Sequence, residues 1–104
     1  MNAHHNDSYD PNNRTIHWDP RSAMRTTSGG TQSPALGLGH EADHATVAAA
    51  IRDADIVRRV PRYDNLEERR VILGSERHAA RTLHEGVRRD HRGTCYHVAT
   101  PTSR

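Results

Sequence analysis

Two histidines and a glutamate, His40-Glu41-Ala42-Asp43-His44, constrain this chain more than any other segment does. Histidines at i and i+4 can converge on one ion only if the backbone between them is helical, where such residues stand on one face about 5–6 Å apart at Cβ. Zinc suits the pair, because its bonds to imidazole nitrogen are about 2.0–2.1 Å and a catalytic site takes three protein ligands and leaves a fourth place for water. A glutamate directly after the first histidine can lie beside that water, accept its proton and return it to a leaving amine. The run therefore encodes the parts of a hydrolase, with His40 and His44 as metal ligands and Glu41 as the base.

Nine of the 104 residues are histidine, so such a run would arise by accident in roughly four of a hundred chains of this composition. Its context argues against accident. Ser33-Pro34 upstream reads as an N-cap followed by proline at the first helical position, which places the histidines in the opening turns of a helix. The helix carries Leu36, His40, His44, Val47, Ala48 and Ile51 as an i, i+3/i+4, i+7 series, with the histidines inside its buried stripe.

Composition bounds the rest. A chain of this length supports one small domain with a thin core, since only 33% of residues are apolar and none is Phe. Bound metal would supply part of the missing stability. The lone Cys95 excludes an intrachain disulfide framework and reads as a small buried hydrophobe. No run approaches a membrane span and no signal peptide opens the chain. All fifteen basic residues are Arg, yet the net charge is only +2 and no aromatic residues interleave with them. Arg69-Arg70 and Arg88-Arg89 therefore read as solvated helix faces, and no nucleic-acid partner is expected.

Along the chain, residues 1–7 are polar and expected to be disordered, residues 8–101 form the single domain, and 102–104 are a tail. Tyr9 to Trp18 reads as a hairpin turned by Asp10-Pro11-Asn12-Asn13, placed beside the metal helix where it helps to form the substrate cleft. Residues 21–32 read as a Ser/Thr/Gly-rich loop with Gly29-Gly30 at its tip. A second helix starts at Asn65, is anchored by Leu66, Val71, Ile72 and Leu73, and falters at Gly74. Ser75 recaps it into a third segment, Glu76 to Glu85, which uses Ala79, Ala80 and Leu83. Thr94 to Val98 reads as a short strand. The fold class is thus α+β: an N-terminal β-hairpin, two or three helices and a C-terminal strand.

A third ligand must come from outside the first helix, and spacing leaves Glu67, Glu68, Glu76, His78, His84, Glu85, His91 and His97 as candidates. An unbroken helix from Pro34 to Arg59 would run about 22 Å past His44 and favour Glu76 or His78. A helix ending near residues 50–52 would let the following segment return and deliver Glu67 or Glu68. Glu68 also sits where a capping-box carboxylate would bond back to the backbone at Asn65. The Asp43 carboxylate is a further candidate, as a partner holding one of the histidines.

Three segments in order, His40-Glu41-Ala42-Asp43-His44-Ala45, Tyr63-Asp64-Asn65-Leu66-Glu67-Glu68-Arg69-Arg70-Val71-Ile72, and Glu85-Gly86-Val87-Arg88 with Thr94-Cys95-Tyr96, resemble secreted bacterial effector zinc metallopeptidases. That group includes type III effectors and C-terminal toxin domains of Rhs and VgrG proteins of type VI secretion. The resemblance implies a minimal zincin-like fold, Zn2+ held by His40, His44 and Glu68, and Glu41 as base. It maps a later Glu…Arg…Tyr pattern onto Glu85, Arg88 and Tyr96. On this basis Tyr96 or Arg88 would assist the oxyanion, and Arg88 would orient Glu68 or Glu85. The expected activity is endopeptidase cleavage of a protein substrate, the alternatives being hydrolysis of a non-peptide bond or a non-catalytic zinc-stabilised interaction module. Delivery would run through a specialised secretion system into a target cell, from a chain that is cytoplasmic when expressed alone. A delivery domain and a cognate immunity protein are the further partners implied.

Overall fold

The computed structural model describes residues 7–104. Residues 1–6 of the polar N-terminal stretch lie outside the described residues, whereas Asp7 is buried and its carboxylate accepts a hydrogen bond from the Asp19 amide at 2.8 Å. The chain is α+β, as expected from its patterning.

The N-terminal hairpin forms where the turn residues require it. Strands β1 (Ser8–Asp10) and β2 (Thr15–His17) pair antiparallel with Tyr9 opposite Ile16. The Asp10 carboxylate closes the turn by accepting from the Asn12 amide and the Asn13 side chain, both at 2.9 Å. Trp18 then donates its indole N–H to the Pro34 carbonyl at 2.8 Å, which docks the hairpin on the start of helix α1 (Pro34–Thr46).

The segment read as a loop over residues 21–32 is instead a second hairpin, β3 (Ser22–Thr26) and β4 (Thr31–Gln32), turned through Gly29 at a φ of 100°. Its sequence carries little strand propensity. Tertiary pairing supplies what propensity lacks, because β3 is the middle strand of a three-stranded sheet between β4 and the C-terminal strand. Ala23, Met24 and Thr26 are buried accordingly.

Helix α1 ends at Thr46, earlier than either alternative considered from sequence, and Val47 is extended. A separate helix α2 (Ala49–Ile56) follows. The expected apolar series therefore stops at His44: Ala48 is exposed and Ile51 is 54% exposed. The break is stabilised by Arg52, which is buried, donates to the His44 carbonyl at 3.4 Å and stacks over the Tyr9 ring. Two-residue strands β5 (Arg59–Val60) and β6 (Asp64–Asn65) turn the chain back through Pro61.

Helix α3 (Leu66–Val71) begins with Asn65 as N-cap, its side chain accepting from the Glu68 amide at 2.9 Å. One π-helical turn, Ile72–Glu76, follows and is kinked at Gly74, then α4 (Arg77–Thr82) continues. Ser75 does not recap it; its hydroxyl bonds the Asp43 carboxylate. Val71, Ile72 and Ala80 are fully buried, while Leu83, expected as an anchor, is 48% exposed beyond the end of α4. Strand β7 (Gly93–His97) closes the sheet by pairing antiparallel with β3, Met24 opposite Cys95. Among the described residues no helix is long and apolar enough to cross a membrane.

The strand before α1 and the loop after α4 meet backbone to backbone at two glycines. A Cβ on Gly86 would approach the Gly30 Cα to 2.8 Å and the Thr31 amide nitrogen to 2.7 Å, where the Gly86 amide bonds the Thr31 carbonyl. Backbone atoms cannot yield as a side chain can. Gly86→Ala should therefore cost about 1–3 kcal/mol, read as a lower urea midpoint; an unchanged midpoint would contradict this close approach.

Candidate metal centre

Helix α1 presents His40 and His44 one turn apart toward α3 and the π-turn, with their Nε2 atoms 3.1 Å from each other. The returning chain brings Glu68 to the same point, its Oε1 lying 2.8 Å from His40 Nε2 and 3.0 Å from His44 Nε2. The early end of α1 makes this return possible. Glu68 is at the third position of α3, yet its carboxylate faces the histidines and not the Asn65 amide, which bonds the Tyr63 carbonyl. The capping-box alternative therefore does not hold, although Asn65 does cap the helix.

A further imidazole completes the cluster. His91, in the loop before β7, places Nε2 3.2 Å from the same Glu68 oxygen, and its ring lies nearly parallel to that of His40. His40, Glu68 and His91 bring donor atoms within 4.8 Å of one another, as do His40, Glu41 and His44. These buried groups could hold a metal ion.

Each histidine is oriented by a carboxylate behind it. His40 Nδ1 donates to Glu76 Oε1 at 2.6 Å, His44 Nδ1 to Glu67 Oε2 at 2.8 Å, and His91 Nδ1 to Asp64 Oδ2 at 2.5 Å. Such partners fix ring orientation and tautomer and raise ligand basicity. Two of them were ligand candidates by spacing, Glu67 and Glu76. They brace the histidines from behind and stay outside the inward cluster, because each lies on the Nδ1 side of its histidine.

The outer carboxylates are themselves anchored. Arg88, 3% exposed, bonds Glu76 through Nε at 2.8 Å and Nη2 at 2.5 Å, and its Nη2 lies 3.2 Å from His40 Nδ1. It thus orients neither Glu68 nor Glu85 and sits behind His40, which makes it a positioning residue and not an oxyanion donor. Arg70 bridges Glu67 and Asp43, at 2.9 Å to each. Asp43 accordingly acts on His44 only through Arg70 and Glu67, not by direct contact as expected. Glu85 bonds the Ser33 amide at 2.7 Å and its hydroxyl at 2.8 Å. Ser33 therefore takes the N-cap position without capping through its side chain.

Charge follows from this geometry. Burial opposes the protonated form of His40, but the Glu68 and Glu76 carboxylates outweigh it and push the imidazole up to about 9. His44 is likewise raised, against burial, by Glu68 and Glu67. Glu68 is disfavoured as an anion by burial, yet His40, His44 and His91 hold it well below the usual carboxylate range. Three inward imidazole nitrogens share one carboxylate oxygen, an arrangement that requires positive charge, protons or a cation, among them. Glu41 differs: burial pushes its carboxyl up, with His40 and His44 pulling the other way.

Glu41 lines a cleft of about 210 Å³ together with Tyr9, His44, Arg52, Glu67 and Glu68. The first hairpin therefore walls this cleft, as expected from its place before α1. Asp7 and Arg52 line it too, and no motif marked either. Asp7 touches the helix where Gly37 leaves room, since a Cβ there would collide with its carboxylate. Tyr96 stands apart. It pairs with Ala23 and lines a separate depression with Asp19, Arg21, Ser22 and His97, so the oxyanion role expected of it falls outside the cluster.

The Glu76–Arg88 pair yields a stability test. Glu76→Ala leaves a buried guanidinium without its partner and should cost about 3–5 kcal/mol, whereas Glu76→Leu combined with Arg88→Met should cost much less. Denaturant unfolding of the single and double variants reads the difference. Equal losses in both would show that the pair is not the buried unit described.

Comparison with family models, curated proteins and solved structures finds no match to this chain, so its function is read from the geometry of the cluster.

Proposed function

We propose that this chain is a zinc-dependent endopeptidase domain acting on a protein substrate, with His40, His44 and Glu68 holding the ion and Glu41 acting as base. The observation that carries the reading is the meeting of the HExxH helix with Glu68 at one buried point, beside a cleft that Glu41 also lines. The donor set fits zinc. Ligands bound at 2.0–2.1 Å to one tetrahedral ion lie about 3.3–3.4 Å apart, and the inward atoms are already spaced at 2.8, 3.0 and 3.1 Å. Two imidazoles and a carboxylate are also the donor types of catalytic zinc.

Zinc at this point would polarise a water and the scissile carbonyl. The chain's own residues account for the remaining steps. Glu41, whose carboxyl burial pushes up, accepts the proton from water and delivers it to the leaving amine. Glu76 with Arg88, and Glu67 with Arg70, keep the two α1 histidines aimed inward. Tyr9, beside Arg52, supplies an aromatic wall against which an extended peptide can lie. The resemblance to secreted effector metallopeptidases supports the same reading, and with it delivery into a target cell, a delivery domain and an immunity protein as partners.

Glu41→Gln removes a proton acceptor without removing a ligand. It should retain zinc and fold while peptidase activity falls by at least about 10²-fold, measured against a peptide library; undiminished cleavage would exclude Glu41 as base. Glu68→Ala should release zinc to a competing chelator, whereas loss of a mere cap would cost about 1 kcal/mol of stability and spare the metal. Wild-type zinc affinity in Glu68→Ala would remove Glu68 from the ligand set.

A further inference from the structure

His91 repeats, on a loop, the arrangement of the two helix histidines. In all three rings Nδ1 donates to a carboxylate, and in all three Nε2 faces the same Glu68 oxygen, at 2.8, 3.0 and 3.2 Å. In the neutral ring, a carboxylate that accepts Nδ1–H leaves the lone pair on Nε2. That lone pair would face the Glu68 oxygen, an unfavourable contact that a cation between the two turns into a bond to each. His91 is also held in this pose. It is 9% exposed, its amide donates to the Arg62 carbonyl at 2.6 Å, and the neighbouring Asp90 carboxylate accepts from Thr27 Oγ1 at 2.7 Å.

We infer that His91 is a fourth protein ligand, which closes the zinc centre in the resting protein by taking the place that water needs for hydrolysis. The inference rests on the zinc reading above and adds regulation to it. An ion held by three imidazoles and one carboxylate is four-coordinate without water, the condition of a closed site. Hydrolysis then requires His91 to leave, and its position on a loop distinguishes it from His40 and His44, which the helix fixes. A substrate seated in the cleft, or a shift of residues 83–92, would free the fourth place.

The test uses Co2+ in place of zinc, since its visible bands report coordination number, and imidazole as an added probe. Wild-type protein should take one Co2+ and show intense four-coordinate bands that added imidazole does not change. His91→Ala should bind Co2+ more weakly, and its bands should change saturably as imidazole refills the place of the lost ring. Asp64→Asn, which alters only the group behind His91, should weaken Co2+ binding about 10–100-fold and so serves if His91→Ala does not fold. Wild-type bands that respond to imidazole as those of His91→Ala do, or unchanged affinity in Asp64→Asn, would overturn the closed site while leaving the zinc reading intact. A wild type that takes up no stoichiometric Co2+ would overturn both.

Discussion

One carboxylate oxygen organises this molecule. Glu68 Oε1 is approached by imidazole nitrogens from α1 and from the loop before β7, and its own helix is reached only because α1 stops at Thr46. Without positive charge at that point the partly buried Glu68 anion would face the lone pairs of neutral rings, an unfavourable arrangement. Either protons or a cation must supply the charge. With each outward Nδ1–H on its own carboxylate, a neutral ring turns its lone pair inward, which is the arrangement a cation at that point would use.

The cluster is also much of the core. Six apolar residues are buried among those described, against twelve polar or charged ones, and most of the latter belong to the cluster or brace it. Hydrophobic burial alone would leave so small a domain marginal. Local structure serves the same end: the π-turn at Ile72–Glu76 rotates Glu76 onto His40, and Arg52 closes the end of α1 while stacking on Tyr9. A metal centre that contributed folding energy could still leave one ligand on a loop, the place inferred above for His91.

The helix histidines, the hairpin before them, the Asn65 cap and, within one residue, the strand at Gly93–His97 are legible because each depends on local spacing or local turn chemistry. Glu68 was legible only as one of several candidates. What brings it to the histidines is the early end of α1, where Val47 turns extended and Arg52 reaches back to the His44 carbonyl, and that end carries no local signal. The β3–β4 hairpin looks like a loop in sequence because its pairing depends on β7, about seventy residues away, and not on propensity. Arg88 and Tyr96 were assigned through resemblance. Arg88 lies instead behind His40 on Glu76, and Tyr96 lies away from the cleft. The roles of Glu67 and Glu76 followed from which side of each imidazole they reach, which spacing cannot convey.

Zinc K-edge X-ray absorption of the purified protein addresses the central claim most directly, because it counts and identifies the ligands without requiring a substrate. The account predicts only nitrogen and oxygen neighbours at about 2.0–2.1 Å, with the outer-shell scattering of imidazole rings. A sulfur neighbour at about 2.3 Å, which would have to come from Cys95, or a fully hydrated ion without imidazole scattering, would contradict it.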